Sequence, residues 1–362
     1  MSDALTGPWP DVAIPPGETL SDILKARGLT QAELAKRMGR PAQAINEIIR
    51  GVKAIEPATA FQLERVLGTP AHFWLRLEQN HQYNKARLSE LEQLRDETQC
   101  LPDFPYAAIA RLGWVPHTRD PLDRMRNLLR FFEAGSCEAV KSMYPDALHR
   151  VSGTHSPSWQ SLAAWLRGGE RLAAGIEVAP YDADALVRSL DRVRRMTRSQ
   201  PAQFCGELRG LMASCGVALV FVPHLPKSYA HGATRWLSAS RALVQLSLRY
   251  RWADIFWFSL FHELGHILRH GKRRVFVEFE DRPETSEEQE ADRFAAEALL
   301  PSAAYRDFVR AGTFSAIAIR QFACAERIHE GIIVGRLQHE GRLSHSHLNR
   351  LRERYVFAGE PC

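Results

Sequence analysis

The chain has 362 residues, 45% hydrophobic and 25% charged, with a formal net charge of +5. That length suggests two or three domains, and the composition is that of an ordinary soluble protein with enough apolar residues for real cores. The longest apolar run, WADIFWFSLF, is too short to span a bilayer and contains Asp254, and the first residues lack the basic-then-apolar order of a signal peptide, so neither a membrane span nor a signal peptide is expected. The mild positive charge permits nucleic-acid binding without demanding it. Six scattered cysteines with no CxxC pair give no disulfide framework, which points to a reducing, cytoplasmic compartment.

In chain order, residues 1–15 are rich in proline and glycine and read as a flexible start. Short helices follow from Glu18 to about Arg95, until QCLPDFP breaks the pattern with Pro102 and Pro105. Residues 99–204 read as a helical linking region, for example PLDRMRNLLRFFE and SWQSLAAWLRGGERLA. After Gly216 the texture changes to short β-rich runs, VALVFV, GATRWL and ALVQLSL, bounded by turn residues. A long apolar helix carrying LFHELGHILRH comes next, then a charged stretch after Gly271, then a helix from Ser286 to about Leu300 stopped by Pro301. The remainder reads as helical through residues 346–362. The expected fold class is mainly α with a small β-sheet (α+β). Its expected units are an all-α domain (16–98), the linking region, a domain formed by the β-rich runs and the apolar helix (205–345), and a C-terminal helix and tail (346–362).

Between Leu29 and Gly51, Thr30 and Glu33 form a capping box, Gly39 sits where a tight turn is needed, and Pro41 suits a first helical position. Ala35 is small enough for two helices to cross, and Ile45 and Ile48 face inward. This is a helix-turn-helix pattern. Its second helix would present Ala42, Gln43 and Asn46 to the major groove, with Arg40, Arg50 and Lys53 holding phosphates. From Pro16 to Pro70 there are eight basic and six acidic residues, a balance of only +2. A dimer therefore suits DNA binding better than a monomer. The alternative is a helix-turn-helix used only for packing.

His262, Glu263 and His266 form HExxH. Residues four apart share a helix face, so both imidazoles can reach one ion, with Glu263 placed to take a proton from water. The alternative is a buried helix with incidental histidines, so a third ligand matters. Lys272 occupies the third-histidine position of one zincin class and excludes it, and His270 lies on the same straight helix. SEEQEADRFAAEALLP offers an acid from a second helix, with Ser286 and Gln289 as its capping box. Glu290 borders the apolar stripe of Ala291, Phe294, Ala295, Ala298 and Leu299 and is the expected ligand, with Glu287 as runner-up. Glu288 and Asp292 read as solvated. His231, Tyr229 and Tyr250 are candidate oxyanion stabilisers near the β-rich segment, each equally readable as structural. FACAERIHEGIIVGRLQ reads as a closing helical pair, with Cys324 in the core and His329 able to face the cleft.

Two resemblances sharpen these expectations. PPGETLSDIL, GLTQAELAKRMG, INEIIRG and LGTPAHFWLRLEQNHQY resemble the XRE-type domain of HigA antitoxins, which implies operator binding as a dimer. GATRWL, FWFSLFHELGHILRH and EQEADRFAAEALLP, in that order, resemble the ImmA/IrrE family of metallopeptidases. That resemblance implies a gluzincin-like core, Zn(2+) held by His262, His266 and Glu290, and Glu263 as general base. The combined expectation is a cytoplasmic, bacterial or phage-type regulator that binds double-stranded operator DNA and cleaves a partner protein such as a repressor or antitoxin. The alternative is a non-proteolytic HigA-like antitoxin or repressor that meets a cognate toxin and uses its zincin domain as a sensor or scaffold.

Overall fold

Short helices dominate the first hundred residues because turn residues recur every ten or so positions. They are α1 (Pro16–Ala26), α2 (Gln31–Met38), α3 (Ala42–Ile49), α4 (Pro57–Leu67) and the longer α5 (Ala71–Glu97). The computed structural model describes residues 11–145, 158–247, 249, 251–272, 275–279 and 285–355. The capping box forms: the Thr30 hydroxyl accepts the Glu33 amide at 3.2 Å, and the Glu33 carboxylate accepts the Thr30 amide at 2.8 Å. Those bonds hold the Glu33 carboxyl below its ordinary range. Gly39 ends α2 at φ 64°. Pro41 is the N-cap of α3 rather than its first helical residue, a shift of one position. Leu20, Leu34, Ile45, Leu63 and Trp74 are fully buried in the core of this unit, and Ile48 is nearly so. Each such side chain contributes roughly 1.5–3 kcal/mol of burial.

A second compact unit begins at Cys100. It opens with α6 (Tyr106–Arg111), α7 (Pro121–Phe132), α8 (Cys137–Ser142), α9 (Trp159–Ala174), α10 (Ala183–Arg195) and α11 (Pro201–Ser214). Then come β1 (Val217–Val222), β2 (Ala230–Ser238), β3 (Arg241–Ser247), α12 (Ala253–Arg269), β4 (Phe276–Phe279) and α13 (Ser286–Leu299). The unit closes with α14 (Ser302–Ala311), α15 (Ala316–Glu326) and α16 (Glu330–His339). The fold is mainly α with one small sheet, of order β1-β3-β2-β4. β1 runs parallel to β3, and β2 runs antiparallel to both β3 and β4.

Alternation along the strands gives the sheet two apolar faces. On one, Leu219, Phe221, Val244 and Leu246 share a core with Trp257, Leu260, Phe261 and Leu264 of α12. On the other, the Gln245 amide donates to the Trp165 carbonyl of α9 at 2.6 Å. A Cβ at Gly169 would overlap Gln245, so α9 lies close against the sheet. The middle helices therefore do not link two domains. They share a unit with the sheet, because its second apolar face needs a cover and α9 supplies it.

Three further expectations change. β4 was read as part of a charged stretch, yet Phe276, Val277 and Glu278 are buried in a fourth strand. The expected C-terminal helix is, in its described part, a 3₁₀ turn at Asn349–Leu351, followed by a bridge from Arg354 to Trp252. Leu351 and Tyr355 enter the core there, which favours an irregular path over a solvated helix. A disulfide joins Cys100 and Cys137, against the expectation of none, while Cys215 is free and buried and Cys324 free and exposed. Among the described residues no helix is long and apolar enough to cross a membrane.

Candidate metal centre

α12 is apolar on nearly every side because it runs through the middle of the unit, and its polar residues are buried with it. His262 and Glu263 are fully buried, and His266 is 2% exposed. The four-residue spacing brings the two imidazoles together edge to face, with their Nε2 atoms 2.9 Å apart. α13 crosses this face closely at Gly265, where a Cβ would lie 3.0 Å from the Phe294 ring and 3.3 Å from the Ala291 Cα. The carboxylate that α13 delivers is that of Glu288. Its Oε2 is 3.1 Å from His262 Nε2 and 3.5 Å from His266 Nε2. The His262, His266 and Glu288 ligand atoms together form a group able to hold a metal ion.

The acid beside the two imidazoles is thus Glu288, not the expected Glu290. Glu288 is 4% exposed, whereas the Glu290 side chain is 47% exposed and lies 3.5 Å from His270 Nε2. The difference starts at the helix cap. Thr285, not Ser286, caps α13, and its side chain accepts the Glu288 amide at 3.3 Å. The apolar stripe is centred on Ala291, Ala295 and Leu299, so Glu288 extends it backwards by three residues. Asp292, four residues on, is its companion. The Asp292 Oδ1 lies 2.9 Å from His262 Nδ1. The signal that would have found both residues is the ExxxD spacing itself, an acid for the ion and an acid for the histidine on one helix face.

The remaining ring nitrogens are engaged as a metal site requires. His262 Nδ1 meets Asp292, and His266 Nδ1 meets His270 Nδ1 at 2.9 Å. Phe276 of β4 stacks on His266 at 4.1 Å. Two Nε2 atoms and a carboxylate, with outer partners fixing the rings, are a donor set that suits a divalent ion. Burial opposes charge on His262, but the Asp292 and Glu288 carboxylates outweigh it and push its pKa up to about 10. Burial takes His266 down to about 4.

Glu263 faces β2. Its Oε2 accepts the Thr234 hydroxyl at 2.5 Å. Its Oε1 has no hydrogen-bond partner among the described residues. A Cβ at residue 232 would lie 2.5 Å from that oxygen, so only glycine leaves room for it. Burial pushes the Glu263 carboxyl up to about 8, partly offset by His262. Glu278, buried on β4, adds its charge to both His262 and Glu263. It was not anticipated, because the strand was not.

The candidate oxyanion residues separate. His231 lines a cavity beside α12. Tyr229 is half-buried, with the Arg249 guanidinium 4.9 Å from its ring centroid. Tyr250 lies outside the described residues. His329 caps α16 and lies 3.7 Å from Glu353, a structural position. In the first unit, Ala42, Gln43, Asn46, Arg50 and Lys53 are exposed. Gln43 donates to Glu47 at 2.9 Å, and Asn46 to Gln31 at 3.3 Å. Arg40 is half-buried and donates to Gln62 at 2.6 Å.

Comparison with known proteins agrees with both resemblances. Residues 20–74 match the helix-turn-helix family, and residues 255–313 match the IrrE N-terminal-like domain. Virulence-associated protein I of Dichelobacter nodosus is 40% identical over 67 residues, 18% of this chain. The chain spans 62% of the length of that relative. An antidote protein of a plasmid maintenance system from Nostoc punctiforme is 32% identical over 23% of this chain and 91% of its own, with a TM-score of 0.23. The Pseudomonas aeruginosa antitoxin HigA, solved with the higBA promoter, is 29% identical over 24% of this chain and 95% of its own, with a TM-score of 0.22.

Proposed function

We propose that this chain, which joins a helix-turn-helix domain to an IrrE N-terminal-like domain, is a DNA-binding transcriptional regulator carrying a zinc-dependent endopeptidase. The observation that carries the reading is the convergence of His262, His266 and Glu288 beside a buried Glu263 that is not part of the ligand group. His262, His266 and Glu288 would hold the ion. Zinc bound there supplies an acidified water and a polarised peptide carbonyl.

The protein's own residues do the rest. Thr234 fixes Glu263 Oε2, which leaves Oε1 to receive a proton from water and return it to the departing amine. Asp292 holds the His262 ring in orientation through Nδ1. β4 stacks Phe276 on His266 and places an edge strand beside the site, which an extended peptide can pair with. The substrate is a partner protein, a repressor or antitoxin. A sensor or scaffold needs the ligands but has no use for Glu263, and that favours the enzyme.

In the first unit, Gln43 and Asn46 on α3 read bases, and Arg50 and Lys53 hold phosphates, as a homodimer on operator DNA. Arg40 is engaged with Gln62 and would have to release it to join them. Purified protein carrying Glu263→Gln should keep its zinc and its DNA binding while losing proteolysis. Undiminished cleavage by that variant would remove the enzymatic reading, and failure to enrich any sequence from a random DNA pool at low salt would remove the regulatory one.

A further inference from the structure

Beyond the ligands, α12 continues the same face toward its N-terminus and borders a cavity. Ser259, three residues before His262, and Ile255, four before that, line it. Opposite them is His231, next to the Gly232 that packs on Glu263. The register of β2 against β4 shifts between Ala230 and Gly232, an irregularity of the kind that re-aims a side chain. The cavity therefore begins one helical turn from the metal ligands.

Its lining has two parts. Leu246, Trp252, Phe256 and Tyr355 give it an apolar floor. Ser247, Ser259, Arg249 and Arg251 add hydroxyls and guanidiniums, and no carboxylate is among the lining residues described. Ser259 is 3% exposed, and its hydroxyl has no hydrogen-bond partner among the described residues, nor has that of Ser247. A buried hydroxyl without a partner is destabilising, and a ligand that engages it recovers that cost. Positive charge also reaches His224 nearby, whose pKa burial lowers first and Arg249 and His231 lower further. Asp254, next to the lining residue Ile255, is committed to Arg352, with oxygens 3.1 and 2.8 Å from its guanidinium.

We propose that this cavity is a side-chain subsite that selects an acidic residue, glutamate or aspartate, beside the scissile bond. The proposal rests on the peptidase reading for its position and on the lining for its chemistry. The side chain's methylenes lie on the apolar floor, its carboxylate meets Arg249 and Arg251, and the serine hydroxyls donate to it. Arginine forks suit a carboxylate and repel lysine.

The test is binding, separate from turnover. Full-length protein with Glu263→Gln, loaded with measured zinc, is titrated with capped alanine hexapeptides carrying one Glu, Gln or Lys at each position in turn. At one position Glu should bind about 10- to 100-fold more tightly than Lys, with Gln between, as charge-assisted hydrogen bonds imply. Arg249→Glu should reverse that order with zinc content unchanged, and Arg251→Glu, at an exposed position, should weaken it. Equal binding of the three peptides, no binding of any, or an order untouched by both variants overturns the proposal. Cleavage by the wild-type protein is mapped in parallel. Cleavage without acidic preference overturns the subsite and leaves the peptidase standing, whereas acidic preference without cleavage supports the subsite and removes the peptidase.

Discussion

Between Thr30 and Lys53 the chain builds its proposed DNA-facing surface from one continuous stretch, whereas the candidate metal centre draws Gly232 and Thr234 from β2, three residues from α12 and two from α13. In the first region every decisive residue is a neighbour in sequence. The capping box, the glycine in the turn and the inward isoleucines all act within one or two helical turns, so spacing alone specifies them. In the second region the HExxH spacing specifies two ligands and the acid beside them, but the third ligand depends on how one helix docks on another. A cap shifted by one residue, from Ser286 to Thr285, accompanies the exchange of Glu290 for Glu288. Long-range sites are sensitive to single-residue phase, and local motifs are not.

The largest expected effect breaks the comparison where it is sharpest. Glu288→Ala should take the purified protein from about one zinc per chain to almost none, while Glu290→Ala keeps it. Metal analysis of both variants decides this, and the opposite pattern would return the ligand to Glu290. Next is the outer partner. Asp292→Ala should weaken zinc binding roughly 10- to 100-fold, measured by competition with a chelator, because the His262 ring loses its anchor. No change would show that Asp292 is only a surface acid.

A smaller effect is expected in the other region. Asn46→Ala and Gln43→Ala should each relax base discrimination by about 1–3 kcal/mol in binding to a selected operator, with zinc content unaffected. Weaker binding that is uniform across sequences would make them positioning contacts instead. Smallest of all is the cap of α13. Thr285→Ala should lower stability by about 1 kcal/mol in thermal unfolding, and Ser286→Ala should have little effect. Equal effects would mean that the helix start is shared between them.

Local sequence made the helix-turn-helix legible down to its capping box, and it made the α12 histidines legible because a four-residue spacing has one geometric meaning on a helix. Gly265 on the same helix is a point of close approach, where a Cβ would lie 3.3 Å from the Ala291 Cα. Local sequence missed β4, since VFVEF alternates over too few residues to stand out from the charged stretch around it. It misplaced Glu288 among solvated acids, since SEEQE offers three glutamates and the helix phase that chooses among them is set by docking. It also took residues 99–204 for a linker.

What the sequence determined by itself was the class of fold, most of the order of elements, and the two histidines and the acid that share one helix. What only the tertiary structure decided was which acid from α13 reaches the imidazoles, which glycine gives Glu263 its room, and which helix covers the far side of the sheet. Those choices depend on packing between segments far apart in sequence, where a step of two residues along one helix exchanges a buried carboxylate for an exposed one.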